Sequence, residues 1–314
     1  MIILTGGAGF IGSNLLKELN RIGIEDIIIV DNIDHQLKNQ NLTKLKYTEI
    51  ISINYFLDWV ENRDINIDTI FHLGACSDTL ELDKDYLYNN NVVYSQKLWS
   101  LAVKHNCNFI YASTAATYGD GSNSFSDDHS LIKELIPLNP YGESKQLFDL
   151  WALAQSECPP KWVGLKYFNV FGPGESHKKN MASVIFHFLN QLNEGNNLKL
   201  FGASHGCNPG EQKRDFIYIE DAIKMTMFTY SNNIDSGIYN IGTGKASSFN
   251  DLAASLIKVA GERKVEYIPF PNKLLNSYQY YTCASMKKLR SFGYTEANID
   301  LIAAVEDYYR FFNN

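Results

Sequence analysis

Short runs of β-branched and aliphatic residues alternate with longer stretches of helical periodicity through the first half of the chain. This spacing predicts βαβ units and a parallel sheet. Strands are expected at 2–5, 27–31, 46–50, 69–73, 109–113 and 162–167, and helices at 11–22, 55–62, 83–105 and 141–155. The strand runs are apolar at nearly every position, which is what a sheet with helices on both faces requires. Beyond Val170 the alternation weakens and Pro and Gly turns multiply. A Rossmann-type doubly wound α/β sheet is therefore expected over 1–170, followed by a smaller α/β unit over 171–314 that is interleaved with it, because 237–242 reads as a strand returning to the sheet. The stretch 203–212, rich in Gly, Pro and polar residues, reads as a mobile loop.

Composition narrows the function classes. The chain has 314 residues, 45% hydrophobic and 20% charged, the balance of a globular protein with a large core. With 28 Lys+Arg against 35 Asp+Glu the net charge is −7, and no basic cluster is denser than Lys178-Lys179 or Lys287-Lys288. Nucleic-acid and anionic-membrane surfaces are not expected as partners. The longest aliphatic run, Ile27-Ile28-Ile29-Val30, is far short of the roughly 20 residues of a membrane span. Met1-Ile2-Ile3-Leu4 lacks a basic n-region and runs straight into a glycine turn, so a cytoplasmic location is expected. Cys76, Cys107, Cys158, Cys207 and Cys283 contain no C-x-x-C pair and fit reduced thiols better than a disulfide framework.

Thr5-Gly6-Gly7-Ala8-Gly9-Phe10-Ile11-Gly12 places glycines at 6, 9 and 12 between the first strand and the first helix. A backbone that must turn sharply and bring a helix N-terminus against a pyrophosphate needs this spacing. The second strand ends in Val30-Asp31-Asn32, where the carboxylate can accept a hydrogen bond from an adenosine ribose. That carboxylate favours NAD by repelling a 2′-phosphate, whereas Lys38 offsets the repulsion, so these residues leave NAD and NADP both open.

Tyr141 and Lys145 lie at i and i+4 on one helix face. A free phenol, with a pKa of about 10, is a poor base at neutral pH, but a neighbouring ammonium and an oxidised nicotinamide both favour phenolate. Thr114, at the carboxyl end of its strand, is the candidate for a hydroxyl on the reacting oxygen, with Ser113 as its competitor. His177 and His187 have no third ligand partner in the sequence, so no metal is expected.

In order and spacing, 5–12, Asp31, Thr114, Tyr141 and Lys145 resemble the extended short-chain dehydrogenase/reductase family, over essentially the whole chain. Within that family the chain is most similar to the ADP-L-glycero-D-manno-heptose 6-epimerases. The similarity is carried by Asp31-Asn32 with Lys38, by 73–77, 111–119 and 166–173, by His177-Lys178 with 181–184, and by 213–216. The resemblance implies transient oxidation and reduction at C6 of an ADP-heptose with bound NADP(H), in lipopolysaccharide core heptose biosynthesis. It implies Tyr141 and Lys178 as the two proton-transfer groups, supported by Lys145 and Thr114. By the same resemblance, Gly6, Gly9, Phe10, Ile11, Gly12, Asp31, Asn32, Lys38, Leu73, Gly74, Ala75, Cys76, Ser77, Asn90, Lys145, Val170 and Lys178 contact the dinucleotide. Asn169, Asn180, His187, Phe201, Gly202, Ala203, Ser204, Arg214 and Tyr278 contact the nucleotide-sugar.

Thr114 and Asn180 both stand where the family commonly has Ser, and the 203–212 loop is longer than in close relatives. The family also implies a homo-oligomer. A 4,6-dehydratase is disfavoured, since Ala115-Ala116 offers no acid/base pair after the hydroxyl residue. An NAD-dependent nucleotide-hexose 4-epimerase would use the same Tyr, Lys and hydroxyl and is the alternative enzyme. A dinucleotide-sensing binding protein, the non-enzyme alternative, has no need of the intact Tyr141/Lys145 pair.

Overall fold

The computed structural model describes residues 1–32, 36–261 and 263–313. The first half of the chain forms β1 (Ile2–Thr5), α1 (Phe10–Arg21), β2 (Ile27–Val30), α2 (Gln36–Asn41), β3 (Glu49–Ile51), α3 (Ile53–Glu61), β4 (Thr69–His72), α4 (Lys84–Tyr88), α5 (Tyr94–Lys104), β5 (Asn108–Thr114), α6 (His129–Ile132), α7 (Pro140–Leu153) and β6 (Trp162–Tyr167). The remainder adds β7 (Asn169–Phe171), α8 (Val184–Asn193), β8 (Leu198–Phe201), β9 (Lys213–Arg214), β10 (Phe216–Tyr218), α9 (Ile219–Ser231), β11 (Gly237–Ile241), β12 (Ser247–Ser248), α10 (Phe249–Ala260), β13 (Val265–Ile268), α11 (Lys287–Ser291) and α12 (Leu301–Asn313).

Seven strands form one parallel sheet in the order β3-β2-β1-β4-β5-β6-β11. The chain steps outward from β1 to β3 and then crosses back to β4 on the other side of β1. The carboxyl ends of β1 and β4 therefore flank a switch point, the crevice where such sheets bind ligands. β11 returns from the second half to pair with β6, Gly237 opposite Val163. Three small pairs, β7 with β10, β8 with β13 and β9 with β12, lie outside the main sheet.

Every residue of β1 and β2 is buried, because successive side chains point to opposite faces and both faces are covered. Ile2, Leu4, Ile27 and Ile29 share one apolar cluster with Leu15 and Leu19 of α1 and Ala222 of α9. Ile3, Ile28 and Val30 share the other with Trp59 of α3, Trp99 of α5 and Phe148 of α7. At roughly 1.5–3 kcal/mol for each fully buried aliphatic side chain, these two layers hold the sheet at the centre of the fold.

Two local expectations shift for identifiable reasons. The third strand begins at Glu49 and not at Lys46, because Asn20 at the end of α1 clamps Lys46 outside the sheet, accepting from its N–H at 2.7 Å and donating to its carbonyl at 2.9 Å. The helix expected over 83–105 contains a π-helical stretch at Asn89–Val93 between α4 and α5. The wider turn accompanies an inward Asn91, which is fully buried. Among the described residues, no helix is long and apolar enough to cross a membrane.

Candidate active site

The glycines of the turn allow a close backbone approach. Gly6 has φ +69°, and a Cβ there would come within 2.6 Å of the Gly74 backbone. A Cβ on Gly12 would sit 2.1 Å from the Gly6 carbonyl oxygen. These glycines let the loops after β1 and β4 touch. Thr5 Oγ1 strengthens the join, meeting His72 Nδ1 at 2.7 Å and accepting from the Gly74 N–H at 3.1 Å. Gly9 leads into α1 without a side-chain cap, so no capping side chain takes up the first-turn amides of Phe10, Ile11 and Gly12, the groups a helix N-terminus offers to an anion.

Asp31 is almost fully buried beside this turn. Its carboxylate accepts from the Ala8 N–H at 2.9 Å, the Asn32 N–H at 2.7 Å and Lys38 Nζ at 2.9 Å. The loop after β4 is held by Asn91, whose side chain accepts from the Cys76 N–H at 2.9 Å and donates to the Cys76 carbonyl at 3.0 Å. Asn91 also donates to Ser144 Oγ on α7 at 3.0 Å, while Asn90, expected at the dinucleotide, lies half-buried beside it. Leu73, Gly74, Ala75, Cys76 and Ser77 form a ledge with Ala75 and Ser77 exposed.

Tyr141 meets Thr114 at the carboxyl edge of β5, with Lys145 one turn further along α7. α7 starts there because Asn139 caps it, accepting from the Gly142 N–H at 2.8 Å, and Pro140 occupies the first position. Tyr141 hydrogen-bonds Thr114, yet burial dominates and pushes the phenol up to about 12. Burial likewise brings the Lys145 ammonium down to about 8, against the pull of Asp149. Ser113 turns the other way and donates to Asp149 Oδ2 at 2.7 Å, which removes it as the competitor of Thr114. Gln279 braces the short turn after Thr114, donating to the carbonyls of Ala115 at 3.1 Å and Gly119 at 2.7 Å.

Lys178 reaches the glycine turn from a distant segment. Its ammonium lies 5.7 Å from the Phe10 ring centroid at the glycine turn, and burial lowers its pKa. Asn14 and Asn41 fasten this segment to the turn, Asn14 Nδ2 donating to the Pro173 carbonyl and Asn41 Nδ2 to the carbonyls of Ala8 and Gly174. Glu175, fully buried, holds it from behind by accepting from Ser183 Oγ at 2.7 Å and the Gly172 N–H at 3.2 Å.

The residues expected to contact a sugar nucleotide divide between two groups. Arg214 lies buried with its guanidinium 4.6 Å from the Tyr278 ring centroid and hydrogen-bonded to that phenol. Phe201 packs edge-on to Tyr278 beside them. Asp215 fixes this end of the chain by accepting from Thr243 N–H, Gly244 N–H and Ala284 N–H. Asn169 and Val170 lie on β7, Asn180 is exposed, and His187 is half-buried on α8. Gly202 precedes, and Ala203 and Ser204 begin, the 203–212 loop expected to be mobile. It is tied by Gln212 Nε2 donating to the Gly202 carbonyl and Ser204 Oγ, and by His205 Nε2 against the Leu275 carbonyl at 2.7 Å. Among the described residues, no cluster of three or more His, Cys, Asp or Glu could hold a metal ion.

Comparison with known proteins adds independent information. The family model "NAD dependent epimerase/dehydratase family" matches residues 2–242. ADP-L-glycero-D-manno-heptose-6-epimerase of Fusobacterium nucleatum is 44% identical, covering 98% of this chain and 96% of its own. The protein of the same name from Brachyspira hyodysenteriae is 41% identical over 98% of this chain and 96% of its own. The crystal structure of the Helicobacter pylori ADP-L-glycero-D-manno-heptose-6-epimerase superposes with a TM-score of 0.85 at 31% identity, covering 99% of this chain and 96% of that one. With the glycine turn, Asp31 and the Tyr141/Lys145 pair in place, the chain belongs to the NAD dependent epimerase/dehydratase family.

Proposed function

We propose that this chain converts ADP-D-glycero-D-manno-heptose to its L-glycero epimer at C6 with tightly held NADP(H), for lipopolysaccharide core heptose synthesis in the cytoplasm. The full-length likeness to two heptose epimerases, at 44% and 41% identity, carries the reading. The site residues make it chemically workable.

C6 of the heptose is a carbinol carbon with no adjacent carbonyl, so its C–H is not acidic enough for direct deprotonation. Bound nicotinamide dinucleotide supplies reversible hydride transfer at that carbon and, when oxidised, a positive charge. The free amides at the start of α1, with Gly6, Gly9 and Gly12, are suited to its pyrophosphate. Asp31, Asn32 and Lys38 would hold the adenosine ribose, and residues 73–77 with Val170 would line the rest of the cofactor. Lys38 neutralises Asp31, which favours NADP over NAD.

Tyr141 moves the proton of the reacting hydroxyl on one face. From about 12 down to neutral pH is five units, about 7 kcal/mol, so the phenol needs added positive charge and the Thr114 hydrogen bond to serve as a base. Lys145, at about 8, stays mostly protonated at neutral pH and contributes that charge. Lys178 serves the opposite face, its lowered pKa bringing it toward the range where an amine both gives and takes a proton. Arg214, with its planar fork, is placed to clamp the sugar diphosphate, Tyr278 and Phe201 offer ring faces to the base, and Asn169, Asn180 and His187 complete the sugar side.

Domains 1–170 and 171–314 divide these tasks between cofactor and substrate. Self-association is part of the same reading; exposed Leu82, Tyr86 and Leu147 lie on or next to α4 and α7, which the Lys84–Glu143 ion pair joins. The proposal is tested by supplying the ADP-heptose and following C6 by NMR. Turnover of a UDP-hexose in place of the heptose would favour the 4-epimerase.

A further inference from the structure

Beneath the Tyr141/Lys145 pair lies a buried charge pair that the reaction scheme above does not use. Asp149 is two turns along α7 from Tyr141 and one from Lys145, so all three share a helix face. Asp149 and Lys166 of β6 are both fully buried and pair at 2.6 Å. Tyr111 and Ser113 of β5 donate to the two oxygens of Asp149, at 3.0 and 2.7 Å. Lys166 Nζ also donates to Thr117 Oγ1 at 2.6 Å, and Thr117 Oγ1 donates to the Thr114 carbonyl at 2.9 Å. A continuous hydrogen-bonded chain therefore runs from the helix that carries Tyr141 and Lys145 to the backbone of Thr114.

We propose that Asp149 and Lys166 are positioning residues that set the charge state of Lys145 and the spacing between Tyr141 and Thr114; the inference deepens the reading above and rests on it. The surroundings of Lys145 leave few other groups able to do this. His72 of β4 is held neutral, its pKa near 3 through burial, and His129 of α6 is brought to about 4 by burial and Lys288. Burial raises Tyr111 of β5, Tyr118 after it, and Cys76 on the β4 loop, so all three stay protonated. On α4, Lys84 pairs with Glu143 at the surface, and Asp85, Tyr86 and Tyr88 are exposed. Asp127, also buried, accepts from the Asn240 N–H and has its pKa raised by burial; among the buried charges, Asp149 and Lys166 are the ones that act on Lys145. The carboxylate favours the Lys145 cation and the ammonium opposes it.

The two charges act on Lys145 with opposite signs, which a purely structural role would not reproduce. In the full-length protein, Asp149→Asn is expected to shift the alkaline limb of the kcat profile down by about one pH unit, and Lys166→Met to shift it up by a similar amount. KM is expected to stay within about two-fold in both, since neither residue is placed against substrate. Replacing both residues together often preserves folding where a single loss does not, so the double variant should fold, its limb lying between those of the two singles. NMR titration of the Lys145 ammonium in lysine-labelled protein reads the same signs without substrate, which separates this test from failure of the proposed function. Limbs and titrations that stay put, or that move in one direction in both single variants, would overturn the proposal.

Discussion

Lys38 and Asp31 form an ion pair, Nζ to Oδ1 at 2.9 Å, with the carboxylate almost wholly buried and the lysine at its rim. The pair cancels a charge that would otherwise repel a 2′-phosphate. Lys38→Ala is expected to weaken NADP binding by roughly 10–100-fold, equivalent to about 1.5–3 kcal/mol for a charge-assisted contact, while NAD binding changes far less. Fluorescence titration with the two dinucleotides checks this. Equal losses for both would show that Lys38 does not read the 2′ position.

Tyr141→Phe and Lys178→Met are each expected to lower kcat by about 10²–10⁴-fold, the usual worth of a general acid or base. Dinucleotide binding should survive Tyr141→Phe, because the proposed role of Tyr141 is toward the reacting oxygen and its hydrogen bond is to Thr114. Steady-state rates beside a cofactor titration separate the two effects. A near-wild-type rate in Lys178→Met would leave proton transfer on the second face without a residue.

Glu175 lies under the segment that presents Lys178 and, among the described residues, is one of the few acids with no exposed surface. Ser183, the Gly172 N–H and the Tyr308 phenol all depend on it. Glu175→Ala is expected to lower stability by about 1–3 kcal/mol and kcat by more than that loss of folded protein explains. Thermal unfolding and the rate per folded molecule, compared with Glu175→Gln, test the claim. A Glu175→Ala protein with a lowered Tm but an unaltered rate would make Glu175 purely structural.

His72 links β1 to α5 through Thr5 on one ring nitrogen and Ser95 Oγ on the other, at 2.7 and 2.8 Å. Burial lowers its pKa to about 3, so the folded state binds its proton less readily than the unfolded chain. Its stabilising contribution is complete above about pH 6.5 and is lost as pH falls toward 3, at up to about 1.4 kcal/mol per pH unit. His129, brought to about 4, adds in the same direction. Urea unfolding at pH 7, 6 and 5 is expected to show this fall, with a shallower slope in His72→Gln. Parallel slopes would contradict it.

What could be read from the sequence is what local spacing encodes. The glycine turn, Asp31 at a strand end, Thr114 after an apolar run and Tyr141 with Lys145 one helical turn apart all declare themselves within short windows. Their supports do not. Lys166 meets Asp149 across β6 and α7, Asn91 clamps a loop 15 residues away, and Glu175 anchors residues of a later helix and of α12, so no periodicity marks them. The early start predicted for the third strand has the same origin, because the Asn20 side chain that excludes Lys46 belongs to another element. Asn90 and Asn91 stand side by side in a run of three asparagines, and only the π-helical turn decides which faces inward.

The central claim is inversion at C6 of an ADP-heptose, and it is tested most directly by incubating the purified protein with ADP-D-glycero-D-manno-heptose and following C6 by NMR. The account expects the L-glycero epimer to accumulate toward equilibrium with no dinucleotide consumed. An unchanged heptose beside a UDP-hexose that epimerises at C4 would contradict it.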